Sequence, residues 1–208
     1  GGGIYVNGGT LTLSGVTIQQ NNATNGGGIY ANGGVSDISA TIEGNIATDG
    51  GGIYVNGGTV NFNGGEIKRH INITNGGGVY VGGGTFNLAD GVIGDSKKES
   101  VANSNKATNG AGVYVGGGGV FMMKGGSISY NYATKSGGGV YVANGSTFYI
   151  LGGNIAYKGA TSGGGIYVAG KVTDQKDGES STGYSIANNK AVSGGGVYLD
   201  GTWSISTC

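Results

Sequence analysis

Proline is absent from this 208-residue chain, histidine and tryptophan occur once each, and the single cysteine is the last residue, Cys208. Without proline a collagen-like triple helix is excluded. One cysteine allows no internal disulfide, so stability must come from packing. His70, with no second histidine or neighbouring cysteine, cannot assemble a metal site, and no cofactor is expected. Charge is sparse as well: 11% of residues, against roughly 25% in ordinary soluble domains. Eleven basic residues balance eleven acidic ones, which leaves no electrostatic footprint for nucleic acid or an anionic membrane. No run approaches the ~20 apolar residues of a spanning helix, so no membrane insertion is expected within this segment. There is no initiator methionine or signal peptide, and both ends cut into a repeat; the chain reads as an excerpt or a processed product.

Glycine fills much of the remaining space, at 52 residues. It is not scattered as in a low-complexity segment. One phrase, GGG[IV]Y followed by Val, Ala or Leu, starts at residues 1, 26, 50, 76, 110 (as GAG), 137, 163 and 194. Successive subtraction gives intervals of 25, 24, 26, 34, 27, 26 and 31 residues. Such a period, joined to strand-forming residues, marks a stacked array in which each repeat buries its apolar face against its neighbours. The expectation is an all-β chain forming one continuous domain over residues 1–208. It would be a single-stranded, right-handed parallel β-helix of about eight coils, with three short strands per ~25-residue coil. The handedness comes from the family resemblance described below.

Within the first strand the fourth and sixth positions are aliphatic and alternate with tyrosine: Tyr5, Tyr30, Tyr54, Tyr80, Tyr114, Tyr141, Tyr167 and Tyr198. Alternation places Ile and Val inward and Tyr outward. The second strand starts at Thr10, Thr59, Thr85, Thr147 or Thr202 and alternates polar with apolar residues. The third contributes one inward isoleucine per coil, at Ile18, Ile42, Ile67, Ile93, Ile128, Ile155 and Ile186, a column along the axis. Asn-Gly and Asp-Gly pairs supply the turns. A further asparagine recurs at a corner, at Asn21, Asn45, Asn105, Asn131 and Asn189. Stacked amides there can satisfy backbone groups that the bend would orphan; His70 occupies the same place in its own coil.

Ile18-Gln19-Gln20-Asn21, Ile42-Glu43-Gly44-Asn45, Ile128-Ser129-Tyr130-Asn131 and Ile186-Ala187-Asn188-Asn189 read I-x-x-N, each closely followed by a GGG[IV]Y phrase. This resembles the paired GGA[ILV] and F-x-x-N repeats of the chlamydial polymorphic outer membrane proteins and related adhesin-like surface proteins. Gly replaces Ala and Ile replaces Phe, and the C-terminal membrane barrel of an autotransporter is lacking. The resemblance implies a secreted or cell-surface β-helical passenger or stalk, used in adhesion or surface architecture.

A catalytic reading requires converging carboxylates, and the acids here are scattered. Glu43 and Lys68 occupy equivalent places on adjacent coils and are expected to pair. Two longer repeats predict loop excursions near residues 95–104 and 174–182. Asp174, Asp177 and Glu179 in the second lack calcium-loop spacing. The outward threonines that open the second strands are too irregular for an ice-binding array. The tyrosine stripe stays open between two readings: a contact or glycan surface, or an edge stabilised by cross-strand stacking. The sequence therefore points to a non-catalytic extracellular structural or adhesive solenoid, the alternative being a polysaccharide-active or carbohydrate-binding β-helix. Expected partners are surface glycans or host-surface ligands, and the chain itself. Coils without caps predict head-to-tail stacking into filaments, alongside lateral association.

Overall fold

The computed structural model describes residues 1–71, 73–96, 103–156 and 158–205. Among them the chain is all-β, dominated by a large parallel sheet of eighteen strands that wraps into a nearly closed, barrel-like solenoid. The register of the first strand runs without a slip through Ile4, Ile29, Ile53, Val79, Val113, Val140, Ile166 and Val197. The isoleucine column is likewise in register from Ile18 to Ile186. Six of its members are buried, and Ile186 packs against the core from a half-buried position. Between these columns lie Phe62, Phe86, Phe121 and Phe148, all fully buried. Alternation explains the pattern: in Val79–Val81 and in Thr85–Leu88 the apolar residues face the core and the others face out.

Two features differ from the expected three short strands. In the second and third coils the first three sides merge into single long strands, Ile29–Glu43 and Ile53–Lys68, whose pairing shifts where bends fall. There is also a fourth side. Strands Ile73–Asn75, Lys106–Asn109, Tyr132–Ser136, Gly159–Ser162 and Lys190–Ser193 form their own five-stranded sheet. This side is narrow. Its interior holds Ile73, Ala107, Ala111 and Ala133 packed together, with Ala160 beside them.

The close approach of coils accounts for the glycine triplets. Gly26 holds φ at 63°, a conformation that costs side-chain-bearing residues roughly 1–2 kcal/mol. A Cβ on Gly28 would lie 2.6 Å from the Gly52 carbonyl oxygen and 2.7 Å from the Ile42 Cγ2. The backbone instead bonds upward, the Gly28 N–H donating to Gly52 O at 3.1 Å.

Of the two expected excursions, residues 97–102 of the first lie outside the described residues; Asp95, at its start, is buried and its carboxylate accepts from the Asn103 amide at 3.3 Å. The second is a small antiparallel hairpin pairing Gln175–Lys176 with Glu179–Ser180. Asp177 and Gly178, both at positive φ, form its turn. Glu179 reaches Lys124 at 3.1 Å and Asp177 reaches Lys176 at 2.5 Å, so these two carboxylates serve different cations.

Candidate functional site

The outward tyrosines form one uninterrupted ladder. Centroids of successive rings are 4.6–5.3 Å apart from Tyr5 to Tyr198, and interplanar angles stay between 3° and 12°. This follows from strict register: a tyrosine always stands directly above a tyrosine. Stacking determines which chemistry the stripe can offer. Each interior ring has both faces against neighbouring rings, so only edges and hydroxyls reach solvent. A sugar stacking on an aromatic face needs a free face, and the six interior rings have none to give.

Burial, with the neighbouring Tyr54, Tyr114 and Asp49 adding to it, pushes Tyr80 up to about 12. Burial also raises Tyr167, whose hydroxyl bonds the Asp200 carboxylate. A phenol that keeps its proton longer in the folded state loses stability as pH rises through the window between about 10 and 12.

The corner residues form a second ladder, this time buried. Asn45 and Asn105 are fully enclosed, Asn131 nearly so, and Asn21 and Asn189 are half-buried. Each amide bridges coils. Asn45 Nδ2 donates to Ile18 O at 2.9 Å, and its Oδ1 accepts from the Asn21 N–H at 2.9 Å. Asn105, Asn131 and Asn189 donate in the same way to Ile67, Ile93 and Ile155 carbonyls.

His70 takes the third place in this column. Its Nδ1 accepts from the Asn45 N–H at 3.0 Å while Nε2 donates to Ile42 O at 3.1 Å, so the ring imitates an amide. Burial lowers its pKa to about 4, opposed only by the Asn45 and Ile42 carbonyls, each 3.1 Å from a ring nitrogen. Lys158, which the corner pattern did not anticipate, takes the sixth place. Its ammonium position is buried, Nζ donating to the Ile128 and Ala156 carbonyls, and burial drives its pKa well below the ordinary lysine value. The sequence signal was available: Ile155-Ala156-Tyr157-Lys158 carries the same spacing as I-x-x-N.

Lesser amide ladders run elsewhere. Asn56 donates to Asn32 and Asn32 to Asn7; Asn87 donates to Asn61 and Asn61 to Asp37; Asn109 donates to Asn75 and Asn75 to Asp49. Glu43 and Lys68 are in register, as the sequence indicated, yet Lys68 turns to Glu66 and Glu43 meets Arg69 at 3.4 Å. The exposed Arg69–Glu43 pair contributes under ~1 kcal/mol.

The fourth side carries a groove of about 560 Å³, lined by Ile73, Thr74, Lys106, Ala107, Thr108, Tyr132 and Thr134. Sequence reasoning missed it. The signal was the short phrase Ala-Thr at Ala23-Thr24, Ala47-Thr48, Ala107-Thr108, Ala133-Thr134 and Ala160-Thr161, replaced by Ile73-Thr74 in the third coil and Ala191-Val192 in the seventh.

No protein family, no curated protein and no solved structure matches this chain.

Proposed function

We propose that the chain is a non-catalytic, extracellular structural or adhesive rod: a right-handed parallel β-helix, exposed at or secreted from a cell surface, that displays its sides to surface ligands and to other copies of itself. One observation supports it above the rest. The carboxylates are used as architecture. Asp37 and Asp49 anchor amide ladders, Asp90 bonds its own turn, Asp95 holds Asn103, and Asp200 holds Tyr167. Glu43, Glu66, Asp177 and Glu179 pair with four different cations. General acid–base cleavage of a polysaccharide needs two carboxyl groups facing one bond; the acids that do lie near one another, Glu66 with Asp95 and Asp177 with Glu179, are each engaged with a cation or amide of their own. The I-x-x-N and GGG[IV]Y resemblance to polymorphic outer membrane proteins favours the same role.

The test is incubation with a panel of neutral and acidic polysaccharides. The proposal expects no reducing ends and no unsaturated products above a boiled control. Release of either at many turnovers per chain would overturn it.

A further inference from the structure

The tyrosine ladder presents ring edges, so a ligand that needs an aromatic face must find it elsewhere. Tyr132, on the fourth side, offers one. It is 49% exposed and stacks on no other ring among the described residues. Its in-register neighbour on the next coil is Gly159, and a Cβ there would lie 2.8 Å from Tyr132 Cδ2 and 3.1 Å from Cε2. The ring therefore lies down over the space where a side chain would stand, and this glycine forms its berth. The exposed part of the ring lines the groove. On the preceding coil the register partner is Lys106, which pairs with no carboxylate among the described residues. Beside this column the threonines Thr74, Thr108 and Thr134 present hydroxyls at the coil spacing along the groove.

Charge on this side is mostly positive: Asp49, bridged to Asn75, is held by the Asn75 N–H and amide at 3.1 Å. The five strands of the fourth sheet carry Lys106, Lys135 and Lys190 and no Asp or Glu. We infer that this groove binds an acidic polysaccharide: a sugar ring lies on the exposed part of the Tyr132 ring, its hydroxyls bond the threonine row, and a uronate carboxylate meets Lys106. This deepens the rod reading and rests on it. A single-stranded nucleic acid fits less well, because successive bases need successive aromatic platforms, and the strands of this side carry one among the described residues, Tyr132.

The experiment is titration of the folded chain with a galacturonic acid hexamer, followed by saturation-transfer NMR and calorimetry. Cellohexaose and an oligouridylate of equal charge serve as the comparison ligands. Saturable binding of the hexamer is expected, tighter than that of either comparison. Tyr132→Ala should weaken it roughly tenfold and Tyr132→Phe should leave it near the starting value, since the face and not the hydroxyl makes the contact. Lys106→Gln should weaken it several-fold and flatten its salt dependence. Circular dichroism establishes that each variant is folded. The inference is overturned if the hexamer shows no saturable binding at millimolar concentration, if Tyr132→Ala binds as the parent does, or if cellohexaose or the oligouridylate binds as tightly. None of those results touches the rod reading, which falls only on catalytic release of product.

Discussion

Acid should loosen this protein at one named residue. His70 is fully buried and neutral, with Nδ1 accepting from Asn45 and Nε2 donating to Ile42. Protonation would place a full charge in a fully buried site that offers the ring nitrogens only the Asn45 and Ile42 carbonyls and, among the described residues, no carboxylate. The unfolded chain protonates this histidine near 6.5 and the folded chain near 4. The sign follows from linkage: between those values the unfolded state binds more protons, so stability is intact above pH 6.5 and declines as pH falls toward 4. At 1.36 kcal/mol per unit, the whole window is worth about 3 kcal/mol. That is a large part of the 5–15 kcal/mol typical of a domain. The assay is urea denaturation of the parent and of His70→Asn at pH 7, 5.5 and 4.5. Asparagine already fills this corner in the coils below and above, so the variant is expected to fold. It should lose less stability on acidification than the parent by about 3 kcal/mol over the full window. Identical pH dependence in the two proteins would refute the reasoning.

Two further substitutions test the interior. Lys158→Asn should stabilise the fold at pH 7, because the buried amine must shed a proton that the unfolded chain keeps. For the parent, stability should rise between pH 7 and 10 as that cost disappears, and calorimetric melting should show the variant without this rise. Ser36, buried with an unpartnered hydroxyl, stands between Leu11 and Val60 in an otherwise apolar column. Ser36→Val should add about 1 kcal/mol or more in the same melts; a loss would mean that the column has no room there.

Much of this was legible because register repeats. The tyrosine, isoleucine and asparagine columns recur at fixed offsets, and in a parallel stack a recurring residue meets itself one coil away. The merged long strands were hidden because Gly33-Gly34 and Gly57-Gly58 read as turns, although the chain passes through them while still paired. The fourth side was hidden for another reason. Its strands are short and their inward residues are mostly alanine, so the hydrophobic alternation that marks a strand is faint. Lys158 escaped because a lysine at a corner reads as solvated, whereas here its amine replaces an amide nitrogen. The covering of the tyrosine faces depends on ring tilt, which sequence spacing does not carry.

The central claim is that adjacent coils lie in register, residue over residue, and paired cysteines on the second strands test it most directly. With Cys208 replaced by serine, Thr59→Cys and Thr85→Cys occupy register partners on neighbouring coils, while Val120 pairs with Thr85 one coil further on. Neighbours at ~4.8 Å fall within disulfide reach and positions two coils apart, at ~9.6 Å, do not. Under mild oxidation the account predicts quantitative closure of the 59/85 pair and none of a 59/120 pair, read by thiol titration and intact mass. Efficient closure of the 59/120 pair, or failure of 59/85 in a folded protein, would contradict it.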